Sequence, residues 1–310
     1  MNTNTLPACG PEKPEQEMKI SFLNKLFTCV AIFAPPAGCA VAIIHWWGQN
    51  VTAFYLILTG ILFLITGFGI TVGYHRLFTH RSFEAKPLLK IALGIAGSMA
   101  LEGTVFEWCS RHKHHHENSD TDDDPHSPYW SGGIIRGFIH AHVGWIFKAR
   151  PANPEFCRKY IPHLLNDRQM VFVDRYFPLW AALTVITPMA AGALWEMSWR
   201  GAWMGFLWGG LVRIFLVHHI TWSINSFSHI FGTREYNTGD MSTNNLLFGI
   251  VGLGEGYHNN HHKFPYSAKH GLKWWQFDSS FMAIKLLEKL GMVSNVLVPK
   301  KAEISGKRLP

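Results

Sequence analysis

The sequence predicts an all-α integral membrane protein, with four transmembrane helices in two hairpins and a cytoplasmic helical cap. Three observations lead there. Hydrophobic residues make up 48% of the 310 and charged residues only 16%, against about 25% charged in a typical soluble domain, and the missing charges leave long uncharged runs. Basic residues collect on one side of those runs, and 18 histidines fall largely into short clusters near the same side. Mean hydropathy is only +0.05, so a sizeable polar part must lie outside the bilayer. Five cysteines (Cys9, Cys29, Cys39, Cys109, Cys157) are an odd number without a C-x-x-C pair. That excludes a secreted disulfide scaffold and reads as reduced thiols.

Residues 1–25 form a polar N-terminal tail with no signal-peptide pattern. Residues 26–290 form the membrane domain, and residues 291–310 a C-terminal tail. Within the domain, four stretches approach the ~20 residues needed to cross a bilayer: Leu26 to Ile44, Trp46 to Tyr74, Tyr176 to Trp195, and Gly201 to about Ile220. The first contains Pro35-Pro36, tolerable in a membrane where neighbours re-satisfy the backbone. The fourth is interrupted by Arg213, predicted to face the interior near the cytoplasmic end and to pair with a carboxylate or backbone carbonyl. Two shorter apolar stretches, Ile91 to Leu101 and Leu246 to Gly254, are too short to span and are expected at the interface or under the cap.

Orientation follows from the basic residues. Thirteen lie between His75 and Arg175, ten from Arg234 onward, and three (Lys13, Lys19, Lys25) at the N-terminus, whereas the two short connections hold one. The positive-inside rule therefore puts both termini and the cap in the cytoplasm.

The histidines carry the chemistry. The clusters are H-R-L-F-T-H (His75, His80), H-K-H-H-H (His112, His114, His115, His116), N-S-F-S-H (Asn225, His229) and H-N-N-H-H (His258, His261, His262). His112, His115 and His116 stand at i, i+3, i+4, as do His258, His261 and His262, and Asn225 with His229 at i, i+4, so each set shares a helix face. His114 points away. His75 and His80 are five apart, about 140° on an ideal α-helix, and serve one site only if the end of that span distorts. Nine histidines (75, 80, 112, 115, 116, 229, 258, 261, 262) from four segments thus converge just inside the membrane. Nine imidazoles exceed what one metal coordinates, which implies two. His45, His140, His142, His163, His218, His219 and His270 read as ordinary surface or core residues, and His114 and His126 stay open.

The pattern also narrows the metal. H-E-x-x-H is absent, because His116-Glu117 is followed by Asn118, Ser119 and Asp120, so the zinc-protease arrangement fails. A carboxylate-rich di-iron bundle needs two Glu-x-x-His motifs, and only Glu255 to His258 qualifies. What remains is a histidine-ligated di-iron site held in the cap, reached by O2 and a reductant, with an apolar substrate entering from the bilayer. Asp120, Asp124 and Glu255 are candidates to orient the imidazoles.

These motifs, with R-H-K-H-H-H-E-N-S-D-T-D-D-D-P-H and G-E-G-Y-H-N-N-H-H, resemble the histidine boxes of the membrane fatty-acyl desaturases, specifically the stearoyl-CoA (delta-9) type, from about Thr59 to Trp275. The D-P-H and G-E-G-x-H-N elements separate that type from hydroxylases of the same superfamily. The resemblance implies two Fe ions (Fe2+/Fe3+) held by the nine histidines, with Asn225 acting through water. It implies an acyl chain bent near Trp108 and Thr221, a tunnel closed near Phe63 and Gly67, and CoA phosphates met by Lys148 and Arg150, a basic pair shifted by one residue from the family pattern. The substrate would be a long-chain acyl-CoA or acyl lipid. With only 35 residues after Trp275 and no haem motif among them, the electron donor is expected to be a separate protein: cytochrome b5, ferredoxin or similar. Net charge +7 suits an anionic CoA head group and anionic lipid, and no nucleic-acid partner is expected. The competing readings are a membrane di-iron hydroxylase and a histidine-rich metal transporter, although a transporter places its ligands near the midplane.

Overall fold

The computed structural model describes residues 22–48, 51–130, 132–149 and 152–306. Arg150, most of the expected N-terminal tail and the last four residues lie outside the described residues, as does the side chain of His45. The chain runs through α1 (Phe22–Gly48), α2 (Ala53–Thr79), α3 (Pro87–Ser98), α4 (Val105–Asn118), α5 (Ile134–His142), α6 (Phe177–Glu196), α7 (Trp199–His229), α8 (Leu246–Val251), α9 (His258–Lys263) and α10 (Ser279–Lys289), with shorter helical turns between. Four of these, α1, α2, α6 and α7, are long and apolar enough to cross a membrane. α6 and α7 pack on each other as a hairpin, whereas α1 and α2, consecutive in sequence, each pack on α7. A fifth of the apolar window of α1 is buried (22%) against 56% of that of α7, so α7 is the inner helix and α1 faces lipid.

Three boundaries differ from the sequence expectation. Trp46 and Trp47 belong to α1, and the second span begins at Ala53, because two apolar runs meet there and composition places no border between them. At its other end α2 runs past Tyr74 to Thr79, and α7 runs past Ile220 to His229. Polar residues end a hydropathy run, but these ones are sheltered by the cap and the helix continues. Pro35 and Pro36 are accommodated within an unbroken α1.

The end of α2 is not an α-helix. From Gly69 to Thr79 it is a π-helix, in which each N–H bonds five residues back instead of four. His80 N accordingly donates to His75 O (3.0 Å), and the Thr79 hydroxyl donates to Tyr74 O (2.7 Å). Residues five apart now lie one turn apart, which is the distortion that the His75–His80 spacing requires.

α3 neither spans nor lies flat. It descends beside α2, held so close that a Cβ on Gly69 would sit 2.2 Å from Gly97 N, and Tyr74 Oη meets Ser98 Oγ at 2.8 Å. Its C-terminal end is therefore among the spans, where its last carbonyls have no partner within the helix and no water to turn to. Arg213 supplies the donors. Fully buried, it reaches Met99 O (2.9 Å), Thr184 O (3.1 Å) and Gly209 O (3.1 Å). The Thr184 hydroxyl also donates to Met99 O, and His218 Nε2 lies 2.8 Å from Ala100 O. The expected interior placement and carbonyl pairing hold, but Arg213 sits near the middle of α7 and not near the end that meets the cap. The chain then reverses through Leu101 (φ 61) and Gly103 (φ 111) into α4.

The segment after α10 is tied back to the turn after α2. Glu84–Ala85 pairs antiparallel with Val293–Ser294, and Leu297 N donates to Ser82 O (2.8 Å). Replacing Arg213 by Leu leaves several buried carbonyls short of a donor, each costing about 1–3 kcal/mol. An Arg213→Leu chain is expected to lose about 3 kcal/mol of stability, read as a lowered Tm in detergent. A wild-type Tm would show that the guanidinium is dispensable to the bundle.

Candidate metal centre

Nine histidines converge where α2, α4, α7 and α9 end or meet, in two groups. His75, His80, His112, His116 and His261 form one; His115, His229, His258 and His262 form the other. Each helical triplet is divided between them. The i, i+4 pairs His112/His116 and His258/His262 each serve one group, while the i+3 members His115 and His261 cross to the other. Helical spacing explains this. Residues at i and i+4 stand one above the other, and the residue at i+3 leans about 60° to the side, so α4 and α9 each hold both groups together. His114 faces out to Phe156 and Tyr160 (ring centroids 5.4 and 5.5 Å).

The ring nitrogens are aimed inward. In the five-histidine group, Nε2 atoms approach each other at 3.0 Å (His75–His261), 3.1 Å (His80–His112), 3.0 Å (His112–His116) and 2.9 Å (His116–His261). In the four-histidine group, His258 Nε2 lies 3.1 Å from Nε2 of both His229 and His262, and His115 Nε2 is buried without a hydrogen-bond partner. Two nitrogens bound about 2.1 Å from one ion at right angles lie about 3.0 Å apart, so the cage fits a metal in each group. Burial, reinforced by neighbouring imidazoles, holds His112, His116, His258 and His261 well below the usual imidazole range. That favours the neutral ring a metal needs.

Four carboxylates fix the rings from behind. Glu255 accepts from His75 Nδ1 (2.5 Å), Asp124 from His115 Nδ1 (3.0 Å), Asp120 from His229 Nδ1 (2.8 Å) and Asp240 from His262 Nδ1 (2.7 Å). An acceptor on Nδ1 leaves the Nε2 lone pair facing the cage and raises its basicity. Three of the four are the carboxylates anticipated from sequence. Asp240 was not legible: it stands 22 residues from His262, and nothing in its spacing marks it. Burial alone would raise its carboxyl, but hydrogen bonds from His262, Ser242 and Thr238 keep it below the usual carboxylate range. Asp122 and Asp123 are exposed.

His270, read from sequence as ordinary, is part of this surround. It is buried, its ring lies 4.5 Å from that of His261, and its Nδ1 is 3.0 Å from Arg76 Nη2. Its neighbours in sequence are polar and it stands eight residues past His262, outside any box. His126 lies tilted against His115, ring centroids 4.3 Å apart, and faces Asp124 at 3.5 Å. His140, His163 and His218 bond backbone carbonyls elsewhere, and His142 pairs with His219 (3.0 Å).

A mainly apolar cavity ends on the cage. At the metal end it is lined by His75, His112, His258 and Glu255, and it extends along α2 and α7 past Thr71, Thr221 and Asn225 to Gly67 and Phe63. Asn225 lines this cavity and belongs to neither histidine group. Trp108 stacks on His112 at 5.0 Å, and its Nε1 donates to Glu102 Oε2 (3.1 Å). Glu102 stands at the turn after α3, and Thr221 lies near the same carboxyl. Burial pushes that carboxyl up to about 7, against the hydrogen bonds from Thr221 and Trp108. Sequence reasoning missed Glu102, which is six residues from Trp108 but joined to Thr221 only by the fold. Gly67 borders the cavity: a Cβ there would meet only the flexible end of Leu253, at 2.8 Å. Lys148 lies over the Trp130 ring with Nζ 3.5 Å from its centroid, away from the cavity lining.

A mainly apolar cavity that runs between membrane-length helices and stops at a double imidazole cage defines a membrane protein whose histidine clusters can hold metal. Comparison with known proteins gives that class its name. The fatty acid desaturase family model matches residues 50–285, and the chain belongs to that family. It is 39% identical over 281 residues to the hex-5-enoyl-[acyl-carrier protein] acetylenase of Moorena producens, covering 89% of this chain and 87% of that one. It is 39% identical over 244 residues to the sn-1 stearoyl-lipid 9-desaturase of Anabaena variabilis (78% and 84% covered). It is also 39% identical over 253 residues to an acyl-CoA 5-desaturase of Anemone leveillei (81% and 73% covered).

Gly67 lines the cavity at the end remote from the cage, so a larger side chain there tests whether the cavity measures chain length. Gly67→Ile fills the end remote from the cage, and the variant is expected to prefer acyl chains shorter by two or more carbons with the double bond unmoved, as read by gas chromatography of the products. Equal loss on every chain length would mark Gly67 as a packing glycine instead.

Proposed function

We propose that the protein is an acyl-CoA delta-9 desaturase, which uses O2 to place a cis double bond in a long-chain saturated acyl group of the palmitoyl or stearoyl class. The observation that carries this reading is the cavity whose one end is bounded by the metal-facing imidazoles of both groups. An unactivated methylene C–H bond is beyond any side-chain acid or base, and two iron ions held by His75, His80, His112, His116 and His261 and by His115, His229, His258 and His262 would supply the oxygen chemistry.

The residues of the chain supply position. The apolar walls exclude water from the reacting carbons. The Trp108 indole, steadied by Glu102 on one edge and stacked on His112, forms a fixed surface beside the cage, and Thr221 lines the same stretch of the cavity. An acyl chain threaded from Phe63 toward His75 bends against these two groups, so the same two carbons meet the centre each time. Asn225, lining the cavity beside this point, is assigned to the centre through water. Electrons come from a separate donor such as cytochrome b5 or ferredoxin. The basic-residue asymmetry supports a cytoplasmic cap and termini.

A second reading, with an acyl lipid as carrier, is favoured by one contact. Lys148, expected at the CoA phosphates, is engaged by the Trp130 ring, and a relative at 39% identity is named for a stearoyl-lipid substrate.

Expression in a host lacking unsaturated fatty acids, followed by lipid analysis, is expected to yield cis-9 monoenes, and active protein is expected to contain two irons per chain. A hydroxy acid or an alkyne as the principal product would overturn the desaturase reading. His115→Ala is expected to lower turnover by at least about 1,000-fold, which corresponds to about 4 kcal/mol of barrier.

A further inference from the structure

The two histidine groups sit in different electrostatic surroundings. Around the four-histidine group, three of four rings are backed by a carboxylate: Asp124 on His115, Asp120 on His229 and Asp240 on His262. Neutral donors satisfy the remaining oxygens. Asp120 accepts from Met241 N (2.8 Å) and the Ser127 hydroxyl (3.0 Å), Asp124 from Asp120 N (2.9 Å) and His126 N (3.1 Å), and Asp240 from Thr238 and Ser242. Among the described residues, none of the three carboxylates forms an ion pair with Lys or Arg, and Arg234 reaches Asp240 only at its backbone carbonyl.

The five-histidine group has one such carboxylate, and a buried cation stands beside it. Glu255, on His75, is 3.1 Å from Arg76 Nη2, and Arg76 is fully buried with Asp278 on its other side (3.0 Å). Ligand number thus runs opposite to charge: beside the five rings Glu255 and Asp278 share Arg76, which leaves the charge of one carboxylate over, while beside the four rings stand three carboxylates that form no ion pair with Lys or Arg among the described residues.

A buried cation gains from nearby fixed negative charge in proportion to that charge, and water is too scarce here to screen it. A carboxylate on Nδ1 also makes the imidazole a stronger donor. We propose that the two metal sites are unequal by construction, with the four-histidine site, despite its fewer ligands, binding a divalent ion more tightly and filling first. The inference rests on the two-metal reading above and concerns the order within it.

The test is a cobalt(II) titration of the metal-free, full-length protein in detergent, followed by the visible absorption of bound cobalt and by total metal analysis. Two equivalents are expected to bind in two steps separated by at least about 10-fold in Kd. Asp240→Asn and Asp120→Asn, which lie on different loops, are each expected to weaken the first step about 10-fold or more and leave the second in place. His80→Ala is expected to remove only the second step. Two equivalents binding with one affinity, or either Asn variant weakening the second step, would overturn the inequality while leaving the two-metal reading intact. Saturation at a single cobalt would overturn both.

Discussion

Everything at this centre depends on a hydrogen bond that faces away from it. An imidazole has two nitrogens and rotates freely until one is engaged, and in four of the nine rings a buried carboxylate engages Nδ1 and thereby aims Nε2. Those carboxylates come from the loop after α4, the loop before α8 and the turn before α9. Each bond therefore fixes a ring and also pins a loop. Asp120 does both with one oxygen, taking His229 Nδ1 and Met241 N together. The cage and the cap that encloses it are held by the same contacts, which is why an assembly made mostly of short helices and loops can be rigid.

Much of this was legible in the sequence, and the reason is periodicity. Spans register as uncharged runs, and imidazoles at i, i+3, i+4 register as a shared helix face, so membrane helices and ligands emerge from spacing alone. The conflict between His75 and His80, five residues apart on a helix of 3.6 per turn, was itself informative. It demanded a local departure from α geometry, and the π-helix from Gly69 is that departure. What stayed hidden was whatever depends on residues meeting across the fold. Asp240, His270, Arg76 and Glu102 have no fixed offset from their partners, and a buried Arg beside a metal ligand looks in sequence like any other basic residue.

Glycines divide along the same line. Composition cannot tell Gly67 from Gly69, two residues apart in one apolar run. The structure sets them on opposite duties: Gly69 lets two backbones touch, where any side chain would collide with Ala96 and Gly97, whereas Gly67 opens onto a cavity edged by the movable tip of Leu253. The former is a close-packing position, and the latter leaves space at the edge of the cavity.

The buried end of α3 also bears on how the chain is made. When Met99 leaves the ribosome, the groups that will satisfy its carbonyl do not yet exist: Thr184 is 85 residues behind and Arg213 is 114. Until they arrive, the tip of α3 has only water to bond, so it must wait at the membrane surface while the first two spans are already inserted. Completion of the α6–α7 hairpin then draws the α3–α4 turn inward. Biogenesis has a fixed order in consequence, and a nascent chain truncated before α7 would hold its first two spans in the membrane with no metal centre above them.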